Sequence, residues 1–241
     1  MKRIALVIFF LSFIFAGNAL AGDLVVVELF TSQGCEKCPP ANKLLAELAK
    51  EKNVLALSWH VDYWDYQGWK DTLADPEHTR RQENYNQALG RKGVYTPQII
   101  INGRREVVGS HKLALYQTIQ SALIANELPV TVRLEGSAEA LQVRLGGSEN
   151  NSRAVVVLVW YDSLQKIKIG AGANAGKTIT YANVVRKVKN LGEWQGQAVT
   201  FPIDLRDPDR GGADCLAILV QDGETGRIIG ATKITLDSFP D

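Results

Sequence analysis

Two apolar runs on either side of one amphipathic helix, all within residues 23–61, restrict this chain more than any other feature. Asp23–Phe30 (DLVVVELF) and Val54–Val61 (VLALSWHV) are near-continuous apolar stretches, the pattern of strands buried on both faces. Between them Ala41, Leu44, Leu45, Leu48 and Ala49 recur at the spacing of one helical face. A strand–helix–strand unit this short predicts parallel strands joined by a right-handed crossover. In the turn before the helix lies TSQGCEKCPP, residues 31–40, with Cys35 and Cys38 three positions apart.

The pattern continues to residue 127. Asp62–Asp71 (DYWDYQGWKD) holds four aromatics in ten residues. Asp75-Pro76 reads as an N-cap with proline at the first helical position, predicting a helix to about Leu89, ended by Gly90. Tyr95-Thr96-Pro97 leads into a strand, Gln98–Asn102, which Asn102-Gly103 turns back as a hairpin. Glu106–Gly109 pairs with it, and Ser110 is expected to cap a last helix ending near Asn126. The predicted order is β-α-β-α-β-β-α.

Beyond Leu128-Pro129 short strand-like runs follow one another (VTVRLEG, LQVRLGG, AVVVLVWYD, KIKIG, TITYANVVRKV, QAVTFPID, CLAILVQD, RIIGATKI), separated by turn residues and without a helical pattern. This predicts a β-sandwich-like unit over residues 128–241. Residues 1–21 have a basic head, a short apolar run from Ile4 to Ala16 and Ala19-Leu20-Ala21, which describes a cleavable secretory signal rather than a membrane anchor. Cleavage near Ala21 places the mature chain in the periplasm or outside the cell, with no membrane anchor. Losing Lys2 and Arg3 leaves 25 basic residues against 26 acidic, a balance that draws neither nucleic acid nor an anionic membrane surface. With 46% hydrophobic residues the chain can build its own core, and three cysteines do not make a disulfide framework.

The cysteine pair reads as a redox centre, with a structural disulfide across a short loop as the alternative. A cysteine at the start of a helix has its thiolate favoured by free backbone N–H groups and the helix dipole. A second cysteine one turn on can attack a mixed disulfide formed by the first. Cys35 is the expected nucleophile and Cys38 the resolving thiol. Both parallel strands end on the edge that carries Cys35, and an antiparallel strand 98–102 begins there. Thr96-Pro97 is thus expected beside the cysteines across some sixty residues of sequence.

These features resemble the thioredoxin superfamily, through Cys35-Glu36-Lys37-Cys38, Thr96-Pro97 and the strand order. Residues 24–109 are similar, more closely, to an uncharacterised family of secreted bacterial thioredoxin-like proteins. The matching stretches are VVELFTSQGC, CPP, HVDYWDYQGWKD, RQ with a following Tyr85, and YTPQIIING. The similarity extends through the C-terminal β region. It implies a thioredoxin-like α/β (α+β) domain over residues 22–127, a cis Thr96-Pro97 bond whose preceding backbone pairs with substrate, and thiol–disulfide exchange. The chain departs from thioredoxins in three respects. Glu36-Lys37 stands between the cysteines, Gly34 rather than tryptophan precedes Cys35, and Glu28 is offset by one position from the usual buried carboxylate. That offset turns Glu28 to the other face of the sheet.

The site residues expected are Cys35, Cys38, Thr96 and Pro97 for catalysis, and Tyr63, Trp64 and Trp69 for substrate contact. The aromatics could instead pack on the helix that follows them. Protein or small-molecule thiols and disulfides are the expected partners; neither a cofactor nor a metal is called for. A non-catalytic binding protein on the same scaffold is the alternative. A copper or zinc carrier is a weaker one, because methionine occurs only at Met1 and His60 is the nearest histidine by topology. Gly170–Thr178 (GAGANAGKT) has Ala171 where a phosphate-binding loop needs glycine, and is expected to be a hairpin loop. Cys215, opening an apolar run, is expected to be buried, reduced and inert.

Overall fold

The computed structural model describes residues 24–148 and 153–239; the expected signal sequence and its cleavage point lie outside them. Strand β1 (Val25–Thr31) and strand β2 (Val54–His60) are buried throughout and pair in parallel, from Val25↔Val54 to Thr31↔His60. Helix α1 (Pro39–Leu48) crosses between them. Helix α2 (Pro76–Ala88) is capped by Asp75, whose side chain accepts from the Glu77 N–H. Strands β3 (Gln98–Ile101) and β4 (Arg105–Val108) form a hairpin closed by Asn102 and Gly103, both at positive φ. β3 runs antiparallel to β1 with Phe30↔Gln98 in register. That pairing carries Thr96-Pro97 to the edge where β1 ends. Helix α3 (Lys112–Ile124) differs from expectation at its start: its N-cap is His111, with no side-chain cap, and Ser110 offers only its carbonyl, to Lys112 N–H. No helix among the described residues is long and apolar enough to cross a membrane.

The second half adds β5 (Val132–Glu135), β6 (Leu141–Leu145), β7 (Ala154–Lys168), β8 (Thr178–Trp194), β9 (Val199–Ile203), β10 (Cys215–Asp222) and β11 (Ile228–Thr235). The runs AVVVLVWYD and KIKIG, expected as two strands, are one 15-residue strand, β7, and β8 extends the run after them to 17 residues. The described strands make an eight-stranded sheet, β11-β10-β7-β8-β2-β1-β3-β4, and a three-stranded sheet, β5-β6-β9. The small sheet packs on one face of β7 and β10, as a sandwich would, through Val143, Leu145, Leu158, Trp160, Leu216 and Ile218. The large sheet, however, takes strands from both halves of the chain. β8 pairs in parallel with β2 at Ser58↔Val184, and Asn183, at φ 49°, donates from its side chain to the Ala56 carbonyl. A central strand needs a neighbour on each side to satisfy its backbone, and β8 is that neighbour for β2. The architecture is therefore a mixed α/β fold with one large sheet and few helices.

Side chains alternate across β1. Val25, Val27 and Leu29 pack under α1 and α3, whereas Val26 and Phe30 meet Trp59 and Tyr85 on the α2 side. Glu28 falls on the α2 side, fully buried, with Arg81 Nε 2.7 Å from one carboxylate oxygen and the Tyr85 hydroxyl donating to the other at 2.5 Å. The Arg81 guanidinium also lies 4.6 Å from the Trp59 ring centre. Burial pushes the Tyr85 phenol well above its usual range, so it stays a donor. The offset of Glu28 thus takes it to the face opposite α1 and the cysteines. Arg81→Met, which strands a buried carboxylate, is expected to cost about 3–5 kcal/mol. Adding Glu28→Leu should recover most of that in denaturant melts. A double variant no more stable than Arg81→Met alone contradicts the pairing.

Candidate active site

β1 stops at Thr31, and the chain turns sharply. Ser32 O accepts the Cys35 N–H at 3.2 Å, Ser32 Oγ accepts the Gly34 N–H at 3.1 Å, and Cys35 O accepts the Cys38 N–H at 3.3 Å. Cys35 and Cys38 are joined in a disulfide with Cα atoms 5.4 Å apart. Cys38, not Cys35, is the N-cap of α1, so the nucleophile expected at the helix start sits one turn before it. Both prolines occupy the first helical positions, where their missing N–H groups cost nothing. Glu36 and Lys37 are exposed, but Cys35 and Cys38 are 1% and 0% exposed.

Thr96-Pro97 is cis and reaches this turn. Pro97, Ala41 of α1 and Leu29 of β1 all crowd the space beside the Gly109 Cα, so the proline stands at the side of the first helical turns. Trp64 closes the gap from above. Its Cβ packs against Gly34, 3.1 Å from where a side chain there would begin, and its indole N–H donates to Thr96 Oγ1 at 2.8 Å. The indole therefore spans from the cysteine turn to the cis-proline turn. Gly34, where thioredoxins place tryptophan, leaves the room that Trp64 uses.

The other aromatics are tied in differently. Trp69 donates to Gln33 Oε1 at 2.8 Å and packs on Gly170 and Gly172. Tyr63 donates to Gln82 of α2 at 3.2 Å, and burial raises its phenol pKa. The 62–71 segment thus both meets the cysteine turn at Gly34 through Trp64 and bonds α2 through Tyr63. Its acids act as local acceptors: Asp62 for the Thr79 hydroxyl and Asp65 for the Asp71 N–H. Asp71 itself is buried. Its Oδ2 accepts from Gln33 N–H at 2.7 Å and lies 2.8 Å from His60 Nδ1, while Oδ1 accepts from Leu73 N–H. Burial alone would raise this carboxyl, but His60 and the backbone donors hold it below the usual carboxylate range.

One site residue had no sequence signal. Asn174 lies in the β7–β8 turn, 1% exposed, and its side-chain NH2 donates to Gln33 O and Cys35 O, each at 2.9 Å. The GAGANAGKT stretch is the connecting loop that its spacing suggested, and it braces the cysteine turn from 139 residues away. Among the described residues no group of three His, Cys, Asp or Glu is placed to hold a metal ion. Cys215 is free and buried at the start of β10, and burial together with Asp214 pushes its thiol up to about 11.

The sequence model of a family described as a protein of unknown function, DUF1223, matches residues 26–221. A crystal structure of a protein from Agrobacterium tumefaciens, 34% identical, superposes with a TM-score of 0.79 and covers 90% of this chain and 96% of that one. A probable thioredoxin of Archaeoglobus fulgidus is 31% identical over 86 residues, 36% of this chain and 75% of the relative. HBP35 of Porphyromonas gingivalis, 16% identical, has a TM-score of 0.60, covering 90% of this chain and 76% of that one, and shares the fold.

The position of Trp64 makes a kinetic prediction. Exchange rates depend on access to the attacked sulfur, so Trp64→Ala should speed reduction of the disulfide by dithiothreitol about tenfold or more. Thr96→Val, which keeps the shape and removes the hydrogen bond, should speed it less. Equal rates in all three proteins would show that Trp64 does not cover the disulfide.

Proposed function

The chain belongs to the DUF1223 family, and we propose that it is an extracytoplasmic thiol–disulfide oxidoreductase acting on protein or small-molecule thiols and disulfides through Cys35 and Cys38. The observation that carries this reading is the disulfide in the β1–α1 turn, with Trp64 set between that turn at Gly34 and Thr96. A thioredoxin-like redox role also agrees with the relative named as a probable thioredoxin. Export is inferred from the basic head, apolar run and small residues of positions 1–21.

In the oxidising direction a substrate thiolate attacks Cys35 Sγ. The Cys35–Cys38 bond breaks, and Cys38 leaves with the electron pair. A second substrate thiolate then attacks its own sulfur in the mixed disulfide, expelling the Cys35 thiolate and leaving both protein cysteines reduced. Reduction is the same sequence reversed, with Cys38 resolving the mixed disulfide. Cys35 is assigned the attacked position because Trp64 and Thr96, the groups that can part, adjoin its turn, whereas Cys38 opens α1. Trp64, with Tyr63 and Trp69 behind it, would contact substrate once displaced from Thr96.

A second reading, a binding protein on an inert scaffold, draws support from the near-complete burial of both sulfurs. The two separate on covalent capture. Cys38→Ser should accumulate a mixed disulfide through Cys35 with oxidised glutathione or a disulfide-bonded protein, detectable by mass, and Cys35→Ser/Cys38→Ser should not. No adduct with either reagent would leave the binding reading in place.

A further inference from the structure

Beneath α1 the apolar core ends in a buried polar layer that thiol–disulfide exchange, as described above, leaves unused. On the face of the sheet under the helix, β1 presents Val25, Val27 and Leu29, and β2 presents Val54 and Ala56. Alternation makes the next residues on that face Thr31, Ser58 and His60, and Thr31 and His60 are register partners. This is the edge at which α1 begins. Asn42, four residues after Cys38, lies on the same side of the helix as that cysteine. All four side chains are at most 2% exposed. Among the described residues, Thr31 Oγ1, Ser58 Oγ, His60 Nε2 and both polar atoms of Asn42 have no hydrogen-bond partner. Neither has the hydroxyl of Tyr181 on β8, whose ring meets that of His60 edge-on at 4.7 Å. Buried polar atoms normally find partners, because leaving one without costs about 1–3 kcal/mol. Six in one layer point to a use.

His60 is the titratable member, and its orientation is fixed. Asp71 Oδ2 at 2.8 Å holds Nδ1; an ionised carboxylate there keeps a hydrogen on Nδ1 and leaves Nε2 as the nitrogen that can take up or give up a proton. Cys38, 0% exposed, has no direct route to solvent for the proton it must gain and lose. We propose that the His60–Asp71 pair, acting through the polar layer of Thr31, Asn42 and Ser58, is the proton acceptor and donor for Cys38, an inference that rests on the oxidoreductase reading. When an incoming thiolate bonds to Cys35 Sγ and the Cys35–Cys38 bond breaks, the electron pair stays on Cys38 Sγ. With a proton on Nε2, His60 gives that proton up, the layer passes it on, and the products are a neutral Cys38 thiol and a neutral imidazole. In reverse, the Cys38 thiol loses its proton to Nε2. The thiolate then attacks Cys35 Sγ of the mixed disulfide, and the substrate sulfur leaves as thiolate. His60 is a positioning and proton-holding group here, with Asp71 fixing its tautomer.

The titratable groups that meet His60 are Asp71 from the loop, Tyr181 from β8 and His78 of α2. The His78 ring Nδ1 lies 2.9 Å from the His60 carbonyl oxygen. Burial holds His78 down at about 4, so it is neutral where the exchange would run. Arg81 of α2 is engaged with Glu28.

Stopped-flow oxidation of the reduced full chain by oxidised glutathione, from pH 5 to 9, tests the assignment. His60→Gln should slow the resolution step about 100-fold near pH 6–7, the range of a lost general base, and the deficit should vanish as pH approaches the thiol's own pKa. Asp71→Asn should follow the same profile with a smaller loss. Adduct formation in the Cys38→Ser background should be indifferent to His60→Gln. A resolution rate with an unchanged pH profile in His60→Gln overturns the assignment while leaving the oxidoreductase reading intact; absence of any adduct overturns both. Should His60→Gln fail to fold, the imidazole titration of His60 in the unmodified protein, followed by NMR, decides. It should move between the oxidised and reduced states, and identical titrations overturn the proposal.

Discussion

A single carboxylate oxygen, Oδ2 of Asp71, joins the cysteine turn to the rest of the fold. It accepts from the Gln33 N–H and lies within hydrogen-bonding distance of His60 Nδ1, fixing the residue two before Cys35 and the last residue of β2 with one charge. Gln33 extends the connection: its side chain bonds Trp69, Thr72 N–H and the Thr72 hydroxyl, and its carbonyl takes Asn174. Residues 31–38, 60–72 and 170–176 therefore meet around one glutamine. Hydrogen bonds to charged groups contribute about 1.5–3 kcal/mol each, and in a dry interior losing one leaves the others unbalanced. A turn carrying two cysteines with no solvent exposure to speak of depends on this network for its shape.

The same network explains what the C-terminal half does for the site. β8 completes the large sheet beside β2, and the β7–β8 turn comes to lie against Gln33 and Cys35. Gly170 has no room for a side chain beyond its own hydrogen, since a Cβ there would stand 2.7 Å from Trp69. Gly172 combines a φ of 72° with close approach to the Gln67 carbonyl and Trp69. The glycines that made this loop look like a phosphate cradle are there to let an indole and a backbone come close. The β strands beyond residue 128 contribute a donor to the cysteine turn itself, as well as a core of their own.

Periodicity made the first half legible. The Val-rich runs, the 3.6-residue helical face, the Asp75-Pro76 start and the Asn-Gly hairpin are local signals, and strand direction alone placed Thr96-Pro97 beside the cysteines. Pairings between distant segments carry no such mark. Nothing in the apolar run of β2 says that its second neighbour is β8, so the sequence did not reveal the pairing of β2 with a C-terminal strand. His60 read as a lone histidine because its partner, Asp71, is hidden in an aromatic loop eleven residues on. Asn174 was invisible for the same reason across 139 residues. KIKIG merged with the run before it because the alternation of Ser163-Leu164-Gln165-Lys166 continues a strand that leaves the core, with Leu164 exposed. Glu28 was the reverse case, where counting to the opposite face was enough.

The account stands most directly on the reduction potential of the Cys35–Cys38 pair, measured by equilibrating the full chain in glutathione or dithiothreitol redox buffers and quantifying free thiols. A redox centre should fall within roughly −120 to −270 mV, the span of disulfide oxidants and reductants. A potential below about −300 mV, where structural disulfides of secreted proteins lie, would contradict it and make the pair a staple.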